Sequence, residues 1–201
     1  MQMLDVLHGP DGLPRCGWSV ATDDYVAYHD MEWGLPVDDD QRLFEKLCLE
    51  GFQSGLSWLT ILRKRDAFRR AFSGFEIAAV ARYGPADVER LLRDSSIVRH
   101  RGKIEACVNN ARQAMELTDT EGSLASFVWR YEPAPGDPKR TTCPEAIALA
   151  RELKSRGFKF VGPTTAYAFM QSMGLVNDHI DGCALRSVSE SARGSFARPT
   201  D

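Results

Sequence analysis

The stretch from residue 157 to residue 183 constrains the fold of this chain more than any other. A helical segment ends at Gly157, a short turn follows at 158–162, and Pro163 suits the first turn of a second helix, where its missing N–H is not needed. Such a hairpin leaves unpaired amides at the start of the second helix, which favour an anion such as phosphate. Lys159 adds positive charge within the turn. From the hairpin alone, ordinary packing of two helices is the more common outcome.

Helix signals run along the rest of the chain. Side chains that suit the N-cap precede apolar segments of helical spacing at residues 38–40, Ser57 and Ser123. Thr142 and Glu145 have capping-box spacing ahead of the helix that ends at Gly157. Residues 16–33 are rich in aromatic and acidic side chains without clear periodicity, which predicts a loop. Because no alternating strand pattern of useful length occurs, the predicted class is all-α, with about seven to nine helices.

We expect one helical domain over residues 16–186, with the helical hairpin at about 152–175. Glycine and proline are frequent in residues 1–15, which predicts an irregular N-terminal arm. Residues 187–201 contain serine, arginine and proline and predict a mobile tail. The proline-rich segment at 133–140 is only weak evidence for a domain boundary.

The composition is that of an ordinary globular protein of 201 residues, 43% hydrophobic and 26% charged. No apolar run approaches the roughly 20 residues of a membrane span, and the N-terminus lacks the basic residues of a secretory signal. We therefore expect a cytoplasmic protein that does not bind membranes. The net charge of −3 does not indicate nucleic acid. It does not exclude nucleic acid either, because phosphate binding depends on a local basic patch.

Two cysteines and two histidines offer a possible metal site. Cys16 and His29 lie near the N-terminus, whereas His179 and Cys183 lie near the other end. The latter pair is spaced i, i+4 and would face one point if that turn were helical. Two thiolates and two imidazoles suit a tetrahedral structural zinc, which would fasten the N-terminal arm to the C-terminal segment. The spacing alone leaves open that these are unconnected packed side chains.

Several segments resemble a known family when they are taken in chain order: CGW at 16–18, YVAYHDMEWG at 25–34, LEGFQSGLSW at 49–58, RHRGKI at 99–104, and the stretch 157–183. They are similar to the signature blocks of the 3-methyladenine DNA glycosylase I (Tag) family, which belongs to the helix-hairpin-helix DNA glycosylase superfamily. The likeness spans residues 15–183. It implies an all-α glycosylase fold with a zinc site that joins the N- and C-terminal segments.

The resemblance also implies an activity and a set of site residues. The enzyme, a monomer, would flip 3-methyladenine out of alkylated double-stranded DNA and hydrolyse its N-glycosidic bond, which leaves an abasic site for base excision repair. One structural Zn²⁺ per chain would be held by Cys16, His29, His179 and Cys183. The catalytic residue would be Glu50, and the base would be bound by Trp18, Tyr25, Tyr28, Trp58 and Gln53. The DNA would be contacted by Leu56, Arg101, Lys103, Lys159, Gly162, Thr164 and Thr165.

The chemistry of the implied substrate explains this choice of side chains. Adenine methylated at N3 is a cation in DNA, and its glycosidic bond is already weakened. Each electron-rich aromatic face attracts a cation by roughly 0.5 to 2 kcal/mol, and the Glu50 carboxylate complements the charge. Plainer alternatives remain open for single residues. Trp18, Tyr25 and Trp58 are also plausible core residues, Glu50 a surface acid, and 99–101 a solvated run of charges.

Two positions depart from the superfamily pattern. Asn177 follows Val176 at the place of the superfamily's catalytic aspartate, and Thr164 stands where strand-cleaving members carry a Schiff-base lysine. A hydroxyl without an evident base is a poor replacement for an amine nucleophile. We therefore expect a monofunctional enzyme without lyase activity. For Asn177, our hypothesis is that a base that leaves as a neutral molecule needs no strong carboxylate.

Two other classes of function stay open from the sequence. A damage sensor would bind methylated DNA without turnover, and the presence of Glu50 with the aromatic set argues against it. A zinc-stabilised helical module would use the hairpin for protein contacts. That module would carry an exposed apolar stripe in place of a polar aromatic pocket.

Overall fold

The computed structural model describes residues 5–138 and 140–200, so residues 1–4 of the predicted arm lie outside the description. Ten α-helices form in this part of the chain: α1 Asp23–Met31, α2 Asp40–Gln53, α3 Trp58–Ala71, α4 Ile77–Ala81, α5 Pro85–Arg93, α6 Arg101–Glu121, α7 Leu124–Trp129, α8 Pro144–Ser155, α9 Pro163–Ser172 and α10 Arg186–Ser195. Short 3-10 helices lie at Ser19–Ala21 and Ser73–Phe75. No helix of the described residues is long and apolar enough to cross a membrane.

A mostly helical fold is therefore confirmed, but the loop predicted for residues 16–33 was wrong. This segment contains α1, which begins where the Thr22 hydroxyl accepts a hydrogen bond from the Tyr25 amide at 3.3 Å. Asp23 and Asp24 in the first turn favour the positive end of the helix. The helix is hard to see in the sequence because its buried side chains do not form a continuous apolar stripe.

The predicted irregular arm was also partly wrong, since it forms a two-stranded antiparallel hairpin. Strand β1, Val6–His8, pairs with β2, Pro14–Cys16, in a register that sets Val6 opposite Cys16. Gly12 has a positive φ of 78° in the connecting turn, a conformation that glycine adopts without strain. Strands of three residues are too short for an alternating pattern to predict them.

The apolar core holds α2 in a fixed position. This helix begins at the predicted cap, where the Asp39 carboxylate accepts from the Arg42 amide at 2.8 Å. Its Phe52 lies 4.6 Å from Phe68 of α3 between ring centroids. Both rings are fully buried, which stabilises the fold by about 1.5 to 3 kcal/mol for each side chain. Helices α3, α6, α7 and α9 all pack against α2. The side of α2 that carries Glu50 is consequently fixed in space.

Helices α8 and α9 form the predicted helical hairpin, and α9 begins at Pro163 as the sequence predicted. The start of α8 differs by one residue from the prediction. Cys143 is the N-cap, and its sulfur accepts from the Ala146 amide at 3.4 Å. Among the described residues, the Thr142 hydroxyl is buried without a hydrogen-bond partner. The capping box was therefore wrong, because Pro144 fixes the first turn and leaves Cys143 in the capping position.

The segment predicted to be a mobile tail instead forms α10 and packs on the rest of the fold. The Ser189 hydroxyl donates to the Gly34 carbonyl at 2.7 Å. Arg193 donates to Glu132 at 2.7 Å, and the Phe196 ring lies 4.7 Å from the Trp129 ring between centroids. Most of these contacts are polar, so the segment lacks the apolar stripe by which a packed helix is recognised in a sequence.

Replacing Phe196 with alanine is expected to lower the free energy of unfolding by about 1 kcal/mol, because an aromatic contact with Trp129 is lost. Urea unfolding followed by circular dichroism measures this change. Val188, on α10, the helix that ends just before Phe196, is 50% exposed, so Val188→Ala is the control and should leave the stability nearly unchanged. Equal stability of the Phe196→Ala variant and the wild type would show that the segment is not packed in solution.

Candidate active site and metal centre

Four buried side chains meet in a compact cluster of two thiols and two imidazoles. Cys16, His29, His179 and Cys183 place one ligand atom each within 4.8 Å of all the others. The His179 Nδ1 lies 3.1 Å from His29 Nε2, 3.5 Å from Cys183 Sγ and 3.8 Å from Cys16 Sγ. The edges of a zinc tetrahedron with these ligands are on the order of 3.3 to 3.8 Å. The residues fit a zinc ion in both donor type and spacing.

Both imidazoles are oriented by a second partner, as ligand histidines usually are. His29 Nδ1 lies 2.8 Å from Asp30 Oδ1, which leaves Nε2 for the cluster. His179 Nε2 lies 3.2 Å from the Trp33 carbonyl, which leaves Nδ1. The buried Arg15 in turn binds Asp30 through two nitrogens, at 2.7 and 2.9 Å. The sequence analysis did not identify Arg15 or Asp30, although each is a chain neighbour of a predicted ligand.

The two thiols of the cluster differ in acidity. A hydrogen bond from Cys16, helped by those from the two imidazoles, lowers the pKa of the Cys183 thiol. The same contact and burial raise the pKa of the Cys16 thiol. The spacing of His179 and Cys183 would bring both side chains to one face of a helix, but the chain between them is not helical. A loop that includes Gly182, at a φ of 87°, brings them together instead.

An aromatic cluster packs directly beside these four residues. The Trp18 ring lies 5.5 Å from Tyr25 and 5.2 Å from Trp33, measured between centroids. Tyr28 lies 5.4 Å from Trp58. Trp33 also lies 4.7 Å from His179. The structure thus brings together the four aromatic residues predicted to bind the base, and it adds Trp33, which the sequence analysis left without a role.

Glu50 forms a buried ion pair with Lys46, and the Lys46 ammonium contacts this aromatic cluster. Glu50 is 6% exposed. Its Oε1 lies 2.8 Å from the Nζ of Lys46, one turn earlier on α2. The same nitrogen donates to the Tyr28 hydroxyl at 2.9 Å and lies 3.3 Å from the Trp58 ring centroid. Burial lowers the pKa of Lys46, and Glu50 opposes that shift. Sequence analysis missed Lys46, although the i, i+4 spacing to Glu50 was a signal.

The indole N–H of Trp58 is buried and has no hydrogen-bond acceptor among the described residues. A buried donor without a partner is costly. It therefore marks a place near Tyr28 and Lys46 where a ligand with an acceptor atom would be stabilised.

The loop between α2 and α3, residues 54–57, is exposed to solvent. Leu56 is 41% exposed, and Gly55 has a positive φ of 77° that bends the chain there. Gln53, the last residue of α2, is half-buried at the base of the loop. Lys103 supports the loop from below, because its ammonium donates to the carbonyls of Phe52 at 2.9 Å and Ser54 at 2.6 Å. This ammonium is already bound to backbone carbonyls, in contrast to the DNA contact predicted from the sequence.

The turn between α8 and α9 presents a charged and apolar tip. Lys159 is exposed, and Phe160 beside it is 39% exposed with a positive φ of 58°. The side chain of Asn110 in α6 binds both backbone groups of Lys159, at 2.8 and 2.9 Å. Thr164 is exposed and Thr165 is half-buried in the first turn of α9. The turn is therefore held rigidly, with its cation toward solvent.

Arg101, at the start of α6, is exposed but not free. It donates to Glu89 at 2.5 Å and lies 3.5 Å from Glu105. In the protein alone its charge is balanced by these acids. The DNA contact predicted for Arg101 would have to replace the pair with Glu89.

The Asn177 side chain contacts α10. Its amide donates to the Arg186 carbonyl at 3.0 Å and to Glu190 at 3.1 Å. The neighbouring Asp178 is buried and accepts from the Tyr167 hydroxyl at 2.5 Å. Asn177 therefore bonds to residues of α10, and its place in catalysis stays a hypothesis.

Comparisons with known proteins give a consistent picture. A family model described as "Methyladenine glycosylase" matches residues 18–187. The chain is 46% identical over 179 residues to DNA-3-methyladenine glycosylase 1 of Escherichia coli, with coverage of 85% of this chain and 96% of that protein. It is 42% identical over 181 residues to DNA-3-methyladenine glycosylase of Haemophilus influenzae, with coverage of 86% and 98%.

Two solved structures extend the similarity to three dimensions. One is 3-methyladenine DNA glycosylase I from Staphylococcus aureus, with a TM-score of 0.82, 37% identity, and coverage of 86% of this chain and 96% of that one. Another is a variant of a 3-methyladenine DNA glycosylase I in complex with 3-methyladenine. Its TM-score is 0.81, with 37% identity and coverage of 86% and 97%.

Proposed function

Since this chain belongs to the methyladenine glycosylase family, we propose that it excises 3-methyladenine from alkylated double-stranded DNA and leaves an abasic site. The observation that carries this proposal is the buried Glu50 carboxylate, which pairs with a Lys46 ammonium that lies over the rings of Tyr28 and Trp58. A buried carboxylate next to a cation site lined by aromatic rings suits a flat, cationic purine. The names of the relatives support the same substrate.

The residues of the site fit the reaction step by step. The base must leave the duplex, which costs a few kcal/mol, and the exposed Leu56 can fill the gap it leaves. Glu50 accepts a hydrogen bond from the exocyclic amine and balances the positive charge of the ring. As water adds to the sugar carbon and loses one proton to the solvent, the electrons of the glycosidic bond pass to the base, which departs as a neutral molecule. The positive charge on the substrate therefore replaces much of the protonation that an acid catalyst would otherwise supply to the leaving base.

We assign a structural zinc to Cys16, His29, His179 and Cys183. Four protein ligands leave no open position for a substrate or water, so the ion's chemistry is to join segments of the chain. It would fasten β2 and α1 to the loop before α10. Because Trp18 and Trp33 pack on His29, the same ion would hold the aromatic side of the base site in place.

The DNA-binding surface would combine the turn between α8 and α9 with the exposed loop between α2 and α3, which carries Leu56. Lys159, the backbone of Gly162 and the first turn of α9, with Thr164 and Thr165, would bind phosphates at the positive end of that helix. Arg101 would add a contact after it leaves Glu89. One chain carries the base site, the zinc ligands and the DNA-binding turn, which supports action as a monomer.

Replacing Lys159 with alanine is expected to weaken DNA binding equally for methylated and normal duplexes, because a phosphate contact carries no base information. The dependence of the logarithm of affinity on the logarithm of salt should fall by about one. Fluorescence anisotropy with labelled duplexes at several salt concentrations measures both effects. Lys154→Ala, at an exposed lysine of α8, is the matched control. The same loss with Lys154→Ala would remove Lys159 from the interface.

Release of bases from alkylated duplex DNA tests the function itself. The protein should release 3-methyladenine, identified by chromatography, and the strand should stay intact at the abasic site until alkali is added. Intact strands are expected because Thr164, an exposed hydroxyl, stands where a lyase would need an amine. Binding of the damaged DNA without release would favour a damage sensor and overturn the proposal of an enzyme.

A further inference from the structure

Lys46 is a buried cation at the place where the proposed function needs room for the cationic base. Its residue is only 5% exposed, and its ammonium contacts the three groups that would receive the base. It lies 2.8 Å from the Glu50 carboxylate, 2.9 Å from the Tyr28 hydroxyl and 3.3 Å from the Trp58 ring centroid. A ligand cannot take these contacts while the ammonium keeps them.

We propose that Lys46 is a placeholder for the base. In the free protein its ammonium occupies the space between Glu50, the Tyr28 hydroxyl and the Trp58 ring. It is displaced when a flipped base enters and returns when the base leaves. The proposal rests on the function proposed above. A side chain with four flexible carbon–carbon bonds can withdraw without movement of α2. The cavity that Tyr28, Lys46 and Trp58 line is also lined by two carboxylates, Glu32 and Glu45, each paired with an arginine. Either carboxylate can receive the ammonium.

The placeholder has two consequences for binding. It keeps Glu50 paired when no base is present, which avoids the cost of an isolated buried carboxylate. It also competes with any base for Glu50 and for the Trp58 face, so it weakens binding of the released product. The lysine would thereby favour departure of the free base after the bond has broken.

The test compares binding of free 3-methyladenine to the wild type and to Lys46→Met, followed by tryptophan fluorescence. Methionine has a similar length and no charge, so the competitor is removed while the volume stays filled. We expect the dissociation constant to fall about tenfold, because one cation–π contact and one ion pair no longer compete. Inhibition of base release by added 3-methyladenine should strengthen in parallel. A structural defect alone would weaken binding.

Two further variants keep the test decisive. Lys64→Met makes the same change at a lysine that donates to the Ser95 and Ser96 carbonyls, and it should bind 3-methyladenine as the wild type does. Lys46→Gln removes the charge but keeps a polar side chain, and it replaces Lys46→Met in the test if that variant does not fold. It should also bind 3-methyladenine more tightly than the wild type. Unchanged or weaker binding by a folded Lys46 variant overturns the placeholder, provided that the wild type releases 3-methyladenine from DNA. A wild type without release overturns the proposed function instead.

Discussion

Replacement of Glu50 by glutamine is expected to reduce release of 3-methyladenine from alkylated DNA by about a hundredfold or more. The amide keeps the shape of the side chain but cannot balance the positive charge of the base inside a buried site. Loss of one such preorganised electrostatic contact typically costs about 10² to 10³ in rate. Single-turnover release, measured at saturating protein, isolates the chemical step from product departure.

A second effect of this substitution must be separated from the first. Glu50→Gln leaves the buried Lys46 ammonium without its carboxylate, and breaking a buried ion pair from one side destabilises a fold by about 3 to 5 kcal/mol. The control is Lys46→Met with Glu50→Gln, which removes both charges. We expect this double variant to recover most of the stability, measured by urea unfolding, and none of the activity. Wild-type turnover by the double variant would exclude Glu50 as the catalytic residue.

Replacement of Cys183 by serine is expected to remove close to one equivalent of zinc per chain. A serine hydroxyl stays protonated at neutral pH and is a poor zinc ligand, so the remaining three side chains hold the ion weakly. The melting temperature should fall strongly, because the ion joins two segments that are distant in the chain. Elemental analysis after exhaustive dialysis gives the zinc content, and calorimetry gives the melting temperature.

Cys143→Ser is a matched control for this experiment. Cys143 is also buried, but it caps α8 through its contact with the Ala146 amide. Serine is a good N-cap residue, so this variant should keep its zinc and its stability. Equal zinc in the wild type and the Cys183→Ser variant would exclude Cys183 as a ligand. Loss of zinc from both variants would point to a general loss of the fold.

The parts of the fold that could be predicted from the sequence are those decided within a few residues. The caps at Asp39, Ser57 and Ser123 accept hydrogen bonds from amides three residues later, and Pro163 begins α9 by its own ring geometry. Each of these depends on neighbours in the chain. The error at the start of α8, Thr142 in place of Cys143, arose because two adjacent residues both have side chains that accept hydrogen bonds.

The sequence could supply a set of candidate site residues but not their arrangement in space. Cys16 and Cys183 are read from the sequence as possible ligands, and their meeting in one cluster is a matter of the fold. Lys103 was expected to face DNA, yet it reaches the carbonyls at the end of α2. A lysine side chain serves either purpose equally well, and only the position of α6 beside α2 decides between them.

The sequence by itself determined the helical class, most helix starts, the turn between α8 and α9 and the chemical types of the candidate site residues, because these follow from local hydrogen bonds and from the identity of each side chain. The tertiary structure decided the docking of α10 and the contact of Lys46 with Glu50. It also decided that Asp30 orients His29 and that the Trp33 carbonyl orients His179. Those contacts are mostly polar and join distant segments. Their energies depend on distance and burial, which exist only after the apolar core has brought the helices together.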